Sequence, residues 1–328
     1  MRIRKKIDDG LSWLGSRPKT KSGILLYHRV DTDHRDKFNL CVSPENFEDH
    51  MSLLAESGRA TTLHDLVNNQ RLNQLTPSSI AVTFDDGYLD VLEKALPILT
   101  KYQIPATVYI VTGNLGSQFW WDKLSHIIHE PKQLPDKLEI RDTDGLKTMI
   151  NCRGCSRVAI YDSLYQKLRS QSPTNRAEVL AELSETTGYS TAPNAARAIT
   201  PEELLKLASN PLITIGAHTD THSRLTSLDY REQQDEIQTS VSKLSGIIGH
   251  PIETFSYPFG LKRRDYSEET IKAVKAAGLN HSLAADLGVV TNQSTPFALP
   301  RLWIHDRGKS AFNYNLRLWL GSQKRPRS

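Results

Sequence analysis

Apolar and β-branched runs of strand length alternate along this chain with stretches whose apolar residues recur at helical spacing. That alternation predicts βα units, the building blocks of a parallel sheet or barrel wrapped in helices. Strands are expected near 23–28, 59–62, 79–84, 105–111, 212–217, 252–257, 279–284 and 300–304. Helices are expected at 44–57 behind Ser43-Pro44, at 63–69, 88–102, 201–209 behind Thr200-Pro201, 229–248 and 267–277. Between about 115 and 200 the pattern loosens into Pro, Gly and charged residues with a few helical pieces. With no strand set of its own, that segment reads as an irregular insertion between two βα units and not as a separate domain. The expected organisation is a basic N-terminal segment over 1–21, one α/β domain over 22–306 carrying the 115–200 insertion, and a basic C-terminal tail over 307–328.

The polar residues that break this pattern sit where strands end. His28 closes GILLYH, Asp85 and Asp86 close IAVTFDD, His218 and His222 follow LITIGA, Tyr257-Pro258-Phe259-Gly260 ends ETFSY, and Arg301 to His305 lie on the last strand. In a parallel α/β barrel the carboxyl ends of the strands form one face, and residues distant in sequence converge there.

Two of these groups carry chemistry. Adjacent carboxylates, Asp85-Asp86, repel one another and raise each other's pKa unless a cation is near. Neighbouring side chains diverge, so one carboxylate can ligate a metal while the other faces a substrate, and Gly87 permits the tight turn. The competing reading is a solvated Asp-Asp-Gly turn capping helix 88–102. In His218-Thr-Asp-Thr-His222 the imidazoles are four apart, which on a helical turn places both on one face, a spacing used for zinc; two surface histidines are the alternative. Together with Asp86 they supply two nitrogens and one oxygen and leave positions open for water and substrate, as a catalytic centre requires. Asp220, inside the turn, could ligate or orient a histidine, although local capping is its more ordinary use.

The three motifs TFDDG at 83–87, HTDTH at 218–222 and YPFG at 257–260 resemble those of the polysaccharide deacetylases, the NodB-homology or carbohydrate esterase family 4 enzymes. The resemblance spans roughly 22–306 and implies a distorted (β/α) barrel, usually seven-stranded. It further implies zinc or another divalent metal on Asp86, His218 and His222, with Asp85 as the general base that deprotonates the attacking water. A histidine then protonates the leaving amine of an N-acetylated sugar. The backbone N–H of Phe259 is a candidate oxyanion donor, because the YPFG segment runs close to the metal in this family. Tyr257, Pro258, Phe259, Gly260 and Trp303 are the candidate substrate-binding residues, the aromatic ones by stacking on a sugar.

The chain departs from the family pattern at Ser256, where many members carry an Arg two residues before the Pro of YPFG. Arg301 of LPRLW is the candidate to hold Asp85 in its place. The general acid usually comes from the final strand, where His305 stands, but GILLYHRV resembles the exopolysaccharide and biofilm deacetylases, whose early YH strand carries the histidine. His28 is therefore preferred over His305. Trp120-Trp121-Asp122 also resembles exopolysaccharide-cluster relatives and either lines the substrate groove or anchors the insertion.

Composition narrows the function. Lys and Arg number 41 against 37 Asp and Glu, a net charge of +4, yet residues 1–21 carry +5 and 307–328 carry +6, which leaves −7 on the body. An acidic body with basic tails argues against nucleic acid as a partner. The tails suit peripheral contact with an anionic membrane, since Phe312, Tyr314, Leu316, Leu318, Trp319 and Leu320 lie among Arg317, Lys324, Arg325 and Arg327; a docked terminal helix with a solvated basic end is the preferred reading. Three cysteines make no disulfide framework, and Cys152 and Cys155 lack the second pair of a structural zinc site. The basic start is followed by no apolar h-region, so a cytoplasmic location is expected, with a peripheral position at the inner membrane as its variant. That location favours a lipid-linked or otherwise intracellular glycan over mature polymer. A deformylase of a lipid-linked formamido sugar, a non-catalytic glycan-binding relative and a metal phosphoesterase are the competing functions; the last needs more bridging carboxylates than the sequence offers.

Overall fold

The computed structural model describes residues 20–32, 36–141, 145–190 and 196–321. Its strands, in chain order, are β1 (Gly23–Tyr27), β2 (Arg29–Val30), β3 (Cys41–Val42), β4 (Ile80–Phe84), β5 (Ala106–Ile110), β6 (Lys137–Arg141), β7 (Lys147–Asn151), β8 (Ile213–Ala217), β9 (Thr254–Ser256), β10 (His281–Leu287) and β11 (Leu299–Trp303). Seven of them close a barrel in the order β1-β11-β10-β9-β8-β5-β4, with β4 returning to β1. Every neighbouring pair is parallel. β1, β4 and β5 are buried at each position, which explains why GILLY and ATVYI are unbroken by charge. A barrel strand has packed side chains inside and helices outside, so neither face is given to water.

Helices lie where capping chemistry starts them. Ser43 accepts from the Asn46 N–H with Pro44 at the first turn, and Thr200 and Glu203 form a reciprocal capping box. Of the eight expected strands, 59–62 does not form: only Ala60 bridges Ile80, because Thr62 already caps the helix Leu63–Arg71. The expected 88–102 helix is wider at Val91–Ala95, a π-turn, before Leu96–Tyr102 continues as α-helix. Pro97 has no N–H and its ring crowds the carbonyl four residues back, and the widened turn relieves that clash.

The 115–200 segment, expected to be irregular and without a strand set, does have strands of its own. β6 and β7 form an antiparallel hairpin, and helices Trp120–His129, Arg157–Leu168 and Pro173–Thr187 pack on it around a separate apolar cluster that includes Phe119, Leu124, Ile140, Leu164 and Leu180. Polar outward positions on both hairpin strands hid their alternation from a search for apolar runs. The C-terminal helix, Lys309–Leu320, turns Phe312, Leu316 and Leu320 inward, and Phe312 stacks on His50 at 3.9 Å. It is a docked helix; residues 322–328, with Lys324, Arg325 and Arg327, and most of the basic N-terminal segment lie outside the described residues. Among the described residues no helix is long and apolar enough to cross a membrane.

His50 is fully buried, its Nε2–H donating to the Arg307 carbonyl at 2.6 Å while Nδ1 accepts from the Tyr27 hydroxyl at 3.1 Å. Burial pushes both His50 and His281 down to about 4. Between about pH 6.5 and 4 the unfolded chain binds protons at these rings that the folded chain refuses, so stability falls as pH drops through that window, by up to about 3 kcal/mol per ring. The expected result is a melting temperature clearly lower at pH 5 than at pH 7, with a shallower slope in His50→Gln. A melting temperature flat over this range would refute the assignment.

Candidate active site

The carboxyl ends of β1, β4, β8 and β9, with the side chain of Arg301 on β11, supply the site. After β4 the chain turns sharply: the Asp85 N–H donates to Tyr27 O at 3.0 Å and the Gly87 N–H donates back to Asp85 O at 3.0 Å. Asp86 and Gly87 both hold left-handed φ, 72° and 78°, and a Cβ on Gly87 would meet Ile110 Cδ1 at 2.6 Å. The left-handed conformation favours glycine there, and any Cβ would also displace the Ile110 side chain. Thr219, His222 and Phe259 also hold positive φ, at 64°, 55° and 60°. Backbone held in such sparsely populated conformations costs on the order of 1–3 kcal/mol per residue and gathers at functional sites.

Those angles correct one expectation. His218 and His222 share no helical turn; they flank a loop after β8, closed by a bond from the His222 N–H to Thr219 Oγ1 at 3.0 Å. Glu236, which the sequence reading missed, pins that loop by accepting from the Asp220 and Thr221 N–H groups at 3.0 and 2.9 Å. Asp220 is turned to Thr112 Oγ1 and Lys243 Nζ and takes no part in the donor set.

Asp86 Oδ1 lies 3.5 Å from His218 Nε2 and 3.3 Å from His222 Nε2, and the three residues offer ligand atoms within 4.8 Å of one another. His218 Nδ1 donates to the Ser256 carbonyl at 2.7 Å, so the Nε2 lone pair faces Asp86. Asp86 Oδ1 and His222 Nδ1 are buried without a hydrogen-bond partner. An orphaned carboxylate oxygen facing two imidazole nitrogens fits a divalent cation, which would satisfy it and retain open positions. Burial alone raises the Asp86 carboxyl, but the flanking His218 and His222 hold it far below the usual range. Burial likewise opposes charge on His218, and Asp85 and Asp86 outweigh it and raise that ring; on His222 burial prevails and lowers it.

Asp85 is clamped. Arg301 Nη1 and Nη2 reach its two oxygens at 2.8 and 2.7 Å, and Ser256 Oγ donates to Oδ2 at 3.1 Å. Arg301 is itself 0% exposed and donates through Nε to Ala284 O at 2.8 Å and through Nη2 to Ser256 Oγ at 2.9 Å. The small side chain at 256 therefore leaves room for a guanidinium from β11 and bridges it to the carboxylate. Burial works against charge on Asp85, and Arg301 overrides it, so the carboxyl stays below its ordinary value.

A cavity of about 260 Å³ joins Asp85, Asp86, His218 and His222 to His28, Phe259, Trp121 and Trp303. His28 is half-buried there, its pKa lowered by burial against the pull of Asp86 and Asp85. His305 is exposed and lines a different cavity beyond Trp303, with Arg307 and Trp319, so it is not brought to the site. Tyr257 forms a wall and not a sugar platform: it is 1% exposed, stacked on Tyr266 at 4.1 Å, with its hydroxyl on Phe297 O at 3.0 Å. Pro258 and Gly260 are buried and do not line the cavity. Trp303 does, 39% exposed and with its Nε1–H donating to Ala285 O at 2.7 Å. Of the tryptophan pair, Trp121 lines the cavity with its ring 4.8 Å from that of His222, whereas Trp120 is stacked between Tyr165 and Arg176.

A parallel barrel with a two-histidine, one-carboxylate donor set and a second, clamped carboxylate beside it has the parts of a hydrolase, and its donor set could hold a divalent metal. This chain belongs to the polysaccharide deacetylase family, whose model matches residues 73–139 and 161–282, more than half of it. It is 22% identical over 304 residues to YxkH of Bacillus subtilis, a relative named for the same family, covering 92% of this chain and 78% of that one. A Staphylococcus aureus poly-beta-1,6-N-acetyl-D-glucosamine N-deacetylase is 21% identical over 317 residues, covering 92% and 84%. Among solved structures, the Streptococcus pyogenes deacetylase PplD in complex with acetate superposes with a TM-score of 0.60 at 17% identity, covering 92% of this chain and 99% of that one. IcaB from Ammonifex degensii gives 0.60 at 16% identity, covering 93% and 99%. The seven-stranded barrel is thus the fold of this family.

Proposed function

We propose that the chain hydrolyses the N-acetyl amide of an amino sugar in a polysaccharide or glycan intermediate, with zinc held by Asp86, His218 and His222. The observation that carries this reading is the Arg301-clamped Asp85 directly beside an orphaned ligand set, both on one cavity. The cation supplies Lewis acidity there, polarising the acyl carbonyl and acidifying water. Asp85 accepts the proton of the attacking water at a carboxylate oxygen, and Arg301 with Ser256 keeps that oxygen aimed. The Phe259 N–H, set by the left-handed turn, is the donor for the carbonyl oxygen as negative charge gathers on it. His28 passes a proton to the amine nitrogen as the C–N bond breaks, and its lowered pKa makes the protonated ring a stronger acid than an exposed imidazole. Phe259 and Trp303 offer ring faces for the sugar.

The test is acetate and formate release from N-acetylglucosamine oligomers and from formamido sugars, with metal content measured in parallel. Acetate release that stops with EDTA and returns with zinc supports the reading. Formate in place of acetate moves the chain to the deformylase, and hydrolysis indifferent to chelation overturns the ligand assignment.

A further inference from the structure

Beside the ligand set lies an excess of positive charge that the hydrolysis itself does not use. Asp265 is 0% exposed and faces three guanidinium groups. Of the three only Arg264 hydrogen-bonds it, through Nε at 3.1 Å to each oxygen, and the Leu261 N–H also donates to Oδ2 at 3.1 Å. Arg224 Nε stands 3.5 Å away and Arg169 Nη2 3.8 Å away, and both nitrogens, with Arg169 Nε, are buried without a hydrogen-bond partner. Within this cluster three cations share one buried carboxylate. Arg169 is nonetheless held in place, its guanidinium 5.0 Å from the Phe259 ring and 5.8 Å from the Tyr165 ring. The Phe259 ring in turn lies 4.8 Å from His222, so Arg169 stands one aromatic ring removed from the donor set.

The sequence offers no motif here. Arg169 follows the insertion helix Arg157–Leu168, Arg224 follows the histidine loop, and Arg264 follows YPFG; only the fold assembles them. Arg169 and Arg264 both line the catalytic cavity. A second cavity behind Arg169 and Arg224 is lined by Arg176 and by Asp220, Glu232, Asp235 and Glu236, and these four carboxylates make that side less favourable to an anion than the catalytic side.

We infer that Arg169, supported by Arg224 and Arg264, is an anion subsite, and that the saccharide hydrolysed carries a carboxylate or phosphate next to its N-acyl sugar. The inference rests on the deacetylase reading and names its substrate class. A planar guanidinium preset by two rings loses little freedom on binding a carboxylate or phosphate, and the charge-assisted bond so formed is of the stronger kind. Surplus cationic charge in a partly desolvated wall gains most from an anionic partner, and that gain is weakened by salt.

The experiment compares kcat/KM, with zinc-loaded full chain, on three probes: oligosaccharides alternating N-acetylglucosamine with glucuronate, the same oligosaccharides with carboxyls reduced to alcohols, and N-acetylglucosamine oligomers bearing a 1-phosphate. A preference of about tenfold or more for a charged probe over the neutral one, carried mainly by KM and shrinking with added salt, is expected. The glucuronate and phosphate arms separate the two sources of charge. In Arg169→Gln the preference collapses toward one; Arg224→Gln, at a side chain 25% exposed, gives a second, smaller collapse should the first variant fold poorly. Equal kcat/KM on charged and neutral probes, or a preference unchanged in both variants, overturns the anion subsite while leaving the deacetylase intact. If no probe is hydrolysed, the deacetylase reading fails, and calorimetric titration with the glucuronate oligosaccharide decides the subsite alone: binding lost in Arg169→Gln supports it, and no binding refutes it.

Discussion

Asp85→Asn retains one divalent ion per chain and releases acetate with kcat lowered about 10³-fold, within the range that loss of a positioned general base produces. The geometry separates it from its neighbour. Asp85 spends both oxygens on Arg301 and one also on Ser256, whereas Asp86 Oδ1 has no donor and faces two imidazoles. The Asn amide keeps the size of the carboxylate and can still accept one guanidinium bond, but its oxygen is too weak a base to take a proton from water. Because proton transfer develops only in the transition state, kcat falls while KM changes little. Asp86→Ala shows the opposite pattern, with metal content lost and activity lost along with it. Kinetics on acetate release, paired with metal analysis of both variants, checks the division. If Asp85→Asn also loses its metal, the two carboxylates do not have the separate duties assigned to them.

The barrel was legible because its strands are buried on both sides and its helices begin at side chains with a local reason to cap. Thr62 shows how such a signal can also correct an expectation: the β-branched pair Thr61-Thr62 suits a strand, yet the Thr62 hydroxyl accepts from the Asp65 N–H and commits the chain to a helix. The histidine loop was legible in composition but not in conformation. Spacing of four is compatible with a helical turn, and only the left-handed Thr219 and His222, with Glu236 fixing the loop from the helix Tyr230–Ile248, show how the two rings meet. Glu236 carries no local signal, since a helix glutamate aimed at a loop looks the same in sequence as one aimed at water. Arg301 could be nominated because Ser256 left a vacancy in the motif, and the small residue proved to be part of the answer, a bridge between guanidinium and carboxylate. His28 and His305 are both histidines just after strand residues, and what separates them is which cavity each enters.

Arg301→Met destabilises the fold by about 3–5 kcal/mol, as removal of one partner from a buried ion pair does, and abolishes turnover as well. Asp85 is 3% exposed, and without the guanidinium its charge is left with the Ser256 hydroxyl and the His218 and His28 rings to offset burial. Its folded-state pKa then rises above the unfolded value, which reverses the wild-type direction. A group with a raised folded pKa contributes least once pH exceeds that pKa, so the deficit of Arg301→Met relative to wild type is largest at neutral pH and narrows as pH falls. Adding Asp85→Asn to Arg301→Met removes the charge that needed a partner, and the double variant is expected to be more stable than Arg301→Met alone at pH 7. Urea unfolding of the four proteins, made metal-free to exclude ligand stabilisation, measures this coupling. Additive losses, or a deficit independent of pH, would mean that Arg301 acts through its packing and its bond to Ala284 and not as the counter-charge of the catalytic base. Strong coupling makes the clamp a single unit: Asp85 is kept ionised in a buried site, ready to take a proton, because Arg301 is buried with it.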